Sequence, residues 1–137
     1  MMSHLIEFIA NHYILCTLFV ALVILIVMHE MGRGGKSLSP RELTQLVNQG
    51  TALVVDVRAK KDFDTGHIVD ALNIPYEKLE TRLTELEKYR DKTLIVADAM
   101  GQHAGAASLI LKKAGFEVAR LSGGIVGWRG DNLPVVK

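Results

Sequence analysis

One short loop in the sequence carries side chains whose types and spacing could do chemistry. Residues 94–108 read LIVADAMGQHAGAAS, an apolar run followed by a loop and then by a segment of small residues. Asp98 brings a carboxylate and His103 an imidazole, a pair that can serve as nucleophile and general base or as two metal ligands. No cysteine, serine or threonine lies between them. The loop therefore has the layout of a nucleophile site without its usual nucleophiles.

The residues around Asp98 and His103 favour neither an aspartyl-phosphate intermediate nor metal binding. Sites that form aspartyl phosphates supply a second carboxylate, and residues 98–108 contain no other acidic side chain. The spacing of Asp98, His103 and His67 is not one that demands a metal. We therefore predict no metal and no other cofactor. For His103 we expect a partly exposed position in the first turn of the next helix, where a positive charge is mildly unfavourable.

The composition excludes several classes of function. The 137 residues carry a formal net charge of +1 and no basic run with interleaved aromatic residues, so nucleic-acid binding is not expected. The single cysteine, Cys16, rules out a disulfide within the chain and a metal cage of several cysteines. This length suits one compact domain with an additional segment.

An almost purely apolar stretch lies near the N-terminus. Residues 13–28 read YILCTLFVALVILIVM, and with residues 8–12 they reach the roughly 20 residues that span a bilayer core. The stretch lacks the polar stripe of a core helix. It also lacks the basic start of a cleavable signal peptide, since the first lysine or arginine is Arg33. Over these two alternatives we favour a retained transmembrane anchor at residues 1–29, which contacts lipid through residues 8–28.

The distribution of basic residues predicts the orientation of this anchor. All 16 lysines and arginines follow the apolar stretch, and Arg33, Lys36 and Arg41 lie close to it. By the positive-inside rule the N-terminus is then outside and the C-terminal part is cytoplasmic. The sequence thus predicts a single-pass protein of the inner (cytoplasmic) membrane. A glycine-rich linker at residues 30–37 is expected to join the anchor to one domain at residues 38–137.

The first helix of this domain has clear start and stop signals. Ser39 is a predicted N-cap, Pro40 suits the first helical position, and Glu42 completes a capping box. Gly50 is predicted to end the helix.

The remaining elements alternate along the chain. Strands are predicted at ALVVDV, ALNIP, TLIVA and FEVARL, which are residues 52–57, 71–75, 93–97 and 116–121. Between them lie an amphipathic helix at residues 76–89, with Leu79, Leu83 and Leu86 on one face, and a helix at residues 103–115 closed by Gly115. This alternation predicts an α/β fold with a central parallel sheet covered on both faces. Sites in such sheets lie at the carboxyl ends of strands, where Asp98 follows TLIVA.

Two stretches resemble the signatures of a known family, the rhodanese homology domain. VVDVRAKKDFDTGHIVDALNIP resembles the first signature and AGFEVARLSGGIVGW the closing one, in the family's order, and the resemblance extends over roughly residues 38–134. It implies a three-layer α/β domain with a central parallel sheet. It also marks signature residues that we expect to be structural: Asp56, Arg58, Gly66, His67, Gly123, Gly124 and Trp128.

The resemblance further implies an active-site loop of the form C-x-x-G-x-[R/S/T], whose cysteine carries sulfur as a persulfide. In register with the loop glycine, this chain reads Asp98-Ala99-Met100-Gly101-Gln102-His103. Asp98 then stands at the cysteine position, and it has no sulfur. Cys16, the single cysteine of the chain, lies in the predicted anchor and cannot replace the loop cysteine. We therefore predict a degenerate loop, no catalytic residue, and no sulfurtransferase activity from this chain alone.

Two interpretations of function remain open at this point. The first is a non-catalytic binding or adaptor module whose partner is a membrane or membrane-associated protein. The second is a rhodanese-type sulfurtransferase that uses a cysteine supplied by a partner, or altered chemistry at Asp98.

Five side chains have specific expected roles. The Asp98 carboxylate is expected to accept the N–H groups that converge at the start of the following helix. Asp56 and Arg58 are expected to form a charge-assisted pair that braces the loop. His67 is expected to play a similar buried role. Trp128 is expected to anchor the C-terminal segment by packing.

Overall fold

The computed structural model describes residues 1–33 and 36–137, the side chains of residues 30–33 excepted. The chain divides into two compact units, Met1–Gly32 and Arg33–Lys137. The glycine-rich linker expected at residues 30–37 falls at this division, and its glycines Gly34 and Gly35 lie outside the described residues. All the signature residues, and the loop at residues 98–103, belong to the second unit.

The first unit consists of two helices. Helix α1 spans Met2–Asn11 and helix α2 spans Tyr13–Arg33. α1 buries none of its side chains, and large apolar side chains of both helices, Phe8 and Phe19 among them, are exposed. Among the described residues, neither helix alone meets the length and hydropathy of a bilayer span. Met2–Asn11 and Tyr13–His29 meet them only as a pair, with a bend of 91° between the two.

A five-stranded parallel sheet forms the centre of the second unit. In the spatial order β1-β5-β4-β2-β3, its strands are β1 Lys36–Leu38, β2 Ala52–Asp56, β3 Leu72–Asn73, β4 Thr93–Ala97 and β5 Val118–Leu121. Every pairing within the sheet is parallel. The predicted α/β fold with a central parallel sheet is therefore confirmed, and four of its five strands are those expected from the sequence.

Strand β1 is the one that the sequence did not predict. Its residues pair with β5, with Lys36 opposite Ala119 and Leu38 opposite Leu121, and Leu38 is buried. Three residues are too few to show a period-2 pattern, so only the tertiary contact with β5 makes them a strand.

Helices cover both faces of the sheet. They are α3 Pro40–Asn48, α4 Lys60–Asp64, α5 Ala104–Lys113 and α6 Gly124–Gly130. The predicted capping box of α3 is present, since the Glu42 N–H donates to Ser39 Oγ at 3.2 Å and the Ser39 N–H donates to Glu42 Oε1 at 3.4 Å. Gly50 follows α3 with a φ of 75°, which confirms it as the residue that ends the helix.

Successive residues of β2 and β4 face opposite sides of the sheet and enter two separate cores. Val54 and Ile95 pack in the core that contains Leu43 of α3, whereas Val55 and Val96 pack in the core that contains Leu111 of α5. Each of these buried side chains contributes about 1.5–3 kcal/mol relative to exposure. The two cores hold the carboxyl ends of β2 and β4 in fixed register.

Residues 76–89 differ from the amphipathic α-helix that the sequence predicts. They form two 3-10 segments, Tyr76–Lys78 and Glu80–Tyr89, and Arg82 leaves helical geometry within the second. Leu79 and Leu86 are still fully buried. In a 3-10 helix the side chains at i and i+3 eclipse, which suits the i,i+3 ion pair between Arg82 and Glu85. The apolar spacing thus predicted the buried face correctly and the helix type wrongly.

Candidate functional site

Two buried aspartates lie at the carboxyl ends of adjacent strands. β2 and β4 are neighbours with Asp56 opposite Ala97, and the Val57 N–H donates to the Ala97 carbonyl at 2.9 Å. Asp98 follows β4 directly. Asp56 is 1% exposed and Asp98 is 3% exposed. The structure thus places Asp98 where the sequence predicts, and both carboxylates require partners in this environment.

The Asp98 carboxylate is bound by the backbone of its own loop. One oxygen accepts the N–H of Gly101, and Oδ2 accepts the N–H of His103 at 2.6 Å. Gly101 adopts a φ of 94°, a left-handed conformation that favours glycine. The N–H groups of the loop that leads into α5 therefore converge on the Asp98 carboxylate, as expected from the sequence.

The start of α6 fixes the same loop from the other side. The N–H groups of Ile125 and Val126 donate to the carbonyls of Asp98 and Ala99 at 2.8 and 2.9 Å. A Cβ on Gly124 would lie 2.6 Å from the Ala99 carbonyl oxygen, and Gly124 has a φ of 61°. The signature glycine is thus required by the close approach of the loop backbone and by its own conformation. Gly123 precedes it with a φ of 76°.

Asp56 is neutralised by a side chain. Arg58 donates from Nε to Asp56 Oδ1 at 3.0 Å and from a terminal nitrogen to Oδ2 at 2.8 Å, and its backbone N–H also donates to Oδ1 at 3.0 Å. The same terminal nitrogen reaches the Gly66 carbonyl at 2.9 Å. The expected Asp56–Arg58 pair is present. What it braces through these bonds is the chain around Gly66 rather than the loop at residues 98–103.

His67 and Trp128 both hold the C-terminal segment. The backbone groups of His67 exchange two hydrogen bonds with Val136, at 2.9 and 2.8 Å. The His67 ring lies half-buried on Phe63, with 3.7 Å between ring centroids. Trp128 Nε1 donates to the Pro134 carbonyl at 2.9 Å. These contacts agree with the structural roles expected for both residues.

A pocket of about 450 Å³ opens beside the loop. Its lining combines the end of β2 and the start of α4 with the first 3-10 segment and the loop: Val57, Arg58, Ala59, Asp62, Pro75, Tyr76, Glu77, Asp98, Ala99, Gln102 and His103. His103 is exposed, as expected, and its ring stacks on Tyr76 with 5.0 Å between centroids. Asp98 and His103 thus border one pocket, whereas His67 does not line it.

The pocket lining limits the chemistry available there. It contains no thiol, serine or threonine, and both Asp98 oxygens already accept backbone N–H groups. The sequence's single cysteine, Cys16, lies in α2 of the first unit. In the parts of the chain that the structure describes, no group of three histidine, cysteine or acidic side chains is arranged to hold a metal ion.

Three pocket residues were missed by the sequence reasoning. Tyr76, Asp62 and Glu77 lie on segments that the motif analysis did not connect with the loop. A signal did exist for two of them, because Tyr76 and Glu77 follow the strand β3, whose carboxyl end lies at the same edge of the sheet as β4.

Comparisons with known proteins agree with this geometry. The family model described as Rhodanese-like domain matches residues 39–131. The chain is 36% identical over 141 residues to the uncharacterized protein YibN of Escherichia coli strain K12, covering 99% of both chains. It is 32% identical over 101 residues to a sulfurtransferase of Allochromatium vinosum, covering 74% of this chain and 90% of that one.

A solved structure is also similar to this chain. The crystal structure of a rhodanese-related protein from Thermoplasma volcanium is similar with a TM-score of 0.68 and 31% identity, covering 74% of this chain and 97% of that chain.

Proposed function

The chain belongs to the rhodanese-like domain family, and we propose that it is a membrane-tethered, non-catalytic member that binds a protein partner at the cytoplasmic face of the inner membrane. The observation that carries this proposal is the Asp98 carboxylate, which accepts the N–H groups of both Gly101 and His103. In this proposal Asp98 occupies the position of the family's sulfur-carrying cysteine.

The arrangement at Asp98 works against sulfur transfer in two ways. A persulfide forms only on sulfur, and the described pocket lining offers none. The converging N–H groups would otherwise attract an anion, but the Asp98 carboxylate already satisfies them. The cradle is then closed to an anionic sulfur donor by a charge that belongs to the chain itself.

A turnover assay tests the non-catalytic assignment. The full-length protein in a neutral detergent is supplied with thiosulfate and cyanide, and thiocyanate is measured. We expect no thiocyanate above the background without protein. Turnover by the wild-type chain would overturn the assignment, and its loss in Asp98→Ala would then indicate altered chemistry at Asp98.

The second candidate is a sulfurtransferase that works with a cysteine supplied by a partner. The similarity to the Allochromatium vinosum sulfurtransferase favours it. The variant Asp98→Cys addresses it, because turnover by this variant would mean that the pocket retains everything but the nucleophile. We expect Asp98→Cys to remain inactive, since the pocket is lined by acidic side chains as well.

The membrane tether is supported by the apolar N-terminal unit. Residues 13–28 contain no charged side chain, and the large apolar side chains of both helices are exposed in the isolated chain. Exposure of so much apolar surface calls for lipid or a partner to cover it. The orientation with the N-terminus outside rests on the basic residues that follow the stretch.

Cysteine labelling tests the orientation. In a Cys16→Ala background, cysteines introduced as Ser3→Cys or Lys137→Cys are exposed to a membrane-impermeant maleimide in spheroplasts and in lysed cells. We expect Ser3→Cys to react in spheroplasts and Lys137→Cys to react only after lysis. The reverse pattern would overturn the orientation, and release of the protein by alkaline carbonate would overturn the anchor.

A further inference from the structure

The pocket beside the loop carries an excess of negative charge. One arginine and three acidic residues line it, which leaves a formal charge of −2 with His103 neutral: Arg58, Asp62, Glu77 and Asp98. Among the described residues that line the pocket, Arg58 is the one lysine or arginine. A site that selects anions would show the opposite balance.

Arg58 is buried and already paired with a carboxylate. Arg58 is 8% exposed in its side chain, and its Nε and one terminal nitrogen already donate to the Asp56 carboxylate and the Gly66 carbonyl. The neighbouring lysine Lys60 pairs with Asp64 at 3.1 Å and does not line the pocket. Among the described lining residues, the one lysine or arginine is thus buried and already paired with a carboxylate, which does not favour anion binding.

Two of the acidic side chains are free to bind a cation. Asp62 and Glu77 are exposed, and neither carboxylate has a hydrogen bond or ion pair with another described residue. They reach the pocket from different elements, α4 and the first 3-10 segment. A cationic group that reaches either carboxylate would gain a charge-assisted hydrogen bond.

The rest of the lining suits a long basic side chain. Val57, Pro75 and Ala99 supply apolar walls, and the ring of Tyr76 lines the same pocket. Lysine and arginine bury their aliphatic stems against such walls while the charged head stays near acidic partners. An aromatic ring adds attraction for a cation that lies over its face.

Two exposed apolar side chains lie on the segments that adjoin the pocket. Among the described residues of the second unit, four large apolar side chains are exposed, and two of them, Met100 and Val126, belong to the loop and to the helix start that fixes it. Met100 is 58% exposed and Val126 is 57% exposed, and the Val126 N–H donates to the Ala99 carbonyl of the loop. Exposed apolar side chains grouped at a pocket are typical of a protein interaction site.

We propose that this pocket receives a lysine or arginine side chain from a basic cytoplasmic loop of an integral membrane protein, with Met100 and Val126 against an apolar residue beside it. The inference rests on the proposed function, which places the domain at the cytoplasmic face. Loops on that face carry an excess of lysine and arginine, so the charge of the pocket and that of the available partners are complementary.

Peptide binding to the full-length protein in neutral detergent tests the proposal. The probe is a fluorescein-labelled twelve-residue peptide in which leucines alternate with lysines and arginines, read by anisotropy. A second peptide carries glutamates at the basic positions. We expect the basic peptide to bind and the glutamate peptide not to bind. Equal binding of the two, or binding of neither, would overturn the proposal.

Charge-neutralising variants locate the binding. Asp62→Asn with Glu77→Gln should weaken binding of the basic peptide by about five- to tenfold, the effect of losing two exposed charge contacts. Asp91→Asn with Glu117→Gln is the matched control, since it removes two exposed acids that do not line the pocket. If both pairs of substitutions weaken binding equally, the attraction is non-specific and the pocket is not the site.

A double-mutant cycle tests the apolar contact. Met100→Gln should weaken binding of the leucine-containing peptide by about threefold and leave unchanged a peptide with serines in place of leucines. An equal effect on both peptides would remove Met100 from the interface. The turnover assay keeps the two proposals apart: thiocyanate production would overturn the non-catalytic assignment whatever the peptides do, and failed peptide binding without turnover would overturn only this inference.

Discussion

Asp56 and Asp98 are two buried carboxylates at the ends of neighbouring strands that are stabilised in different ways. Asp56 faces the guanidinium of Arg58, which donates to both of its oxygens. Among the described residues, the Asp98 carboxylate accepts hydrogen bonds from backbone alone, with one oxygen on the Gly101 N–H and the other on the His103 N–H. One site is therefore an ion pair between side chains, and the other is a carboxylate held in a backbone cradle.

This difference affects how each position tolerates substitution. Removing one half of an ion pair leaves a buried charge without a partner, so the two residues depend on each other. A backbone cradle persists when its carboxylate is removed, because the N–H groups belong to the loop and to the start of α5. The Asp98 position can therefore exchange its occupant, whereas the Asp56 position cannot.

The largest effect is expected from Asp56→Asn. The substitution leaves the Arg58 guanidinium, 8% exposed, without its carboxylate, which costs about 3–5 kcal/mol of the free energy of unfolding. Urea denaturation of the full-length protein followed by circular dichroism measures it. Asp64→Asn is the control, because its partner Lys60 is exposed and such pairs contribute about 0–1 kcal/mol. Equal costs for the two variants would show that Asp56 and Arg58 are not coupled by burial.

A second effect tests how the loop around Asp98 is fixed. Gly124→Ala would place a Cβ 2.6 Å from the Ala99 carbonyl oxygen at a φ of 61°, so we expect a loss of about 2–3 kcal/mol in the free energy of unfolding. Gly130→Ala lies in the same helix with nothing within 4 Å of the added Cβ, and it should be nearly neutral. A neutral Gly124→Ala would mean that the loop moves away easily and that α6 does not hold it.

A smaller change in stability, with a change in binding, is expected from Asp98→Ala. The variant leaves two N–H groups without their acceptor, which costs about 1–3 kcal/mol if water does not replace the carboxylate. It also opens the cradle, so weak binding of sulfate or thiosulfate should appear in the variant and be absent from the wild type. Isothermal titration of both proteins measures this. Equal anion binding by the two would contradict the claim that Asp98 fills the cradle.

The comparison also explains which parts of the site could be predicted from sequence. Asp56 and Arg58 lie two residues apart, so the pairing was visible in the sequence itself. The position of Asp98 followed from its place after a buried strand, and the cradle followed from the helix start beyond Gly101. Local patterns of this kind depend on few residues and on general rules of strand and helix ends.

The features that escaped prediction depend on contacts between distant parts of the chain. The bonds from Ile125 and Val126 to the carbonyls of Asp98 and Ala99 join segments more than twenty residues apart in the sequence. The pairing of β1 with β5 is of the same kind. Residues 76–89 were assigned to an α-helix because the apolar spacing fits one, but spacing alone does not distinguish an α-helix from 3-10 turns that bury the same leucines.

The smallest effect on the free energy of unfolding is expected from the exposed ion pair between Arg82 and Glu85. Comparing it with the buried pair at Asp56 shows how much burial adds to the cost of losing a partner. The hydrogen bond from Arg82 lowers the pKa of the Glu85 carboxyl below its ordinary value. Because this pKa is lower in the folded state than in the unfolded state, the pair stabilises the fold above the unfolded-state pKa, and this contribution is lost as the pH falls through the folded-state value. We expect Arg82→Gln to return the Glu85 pKa toward its ordinary value in a carbon-13 NMR titration and to leave unfolding at pH 7 almost unchanged, since Glu85 is exposed to solvent. A destabilisation by Arg82→Gln as large as that by Asp56→Asn would show that charge pairing itself, rather than burial, sets the difference between the two sites.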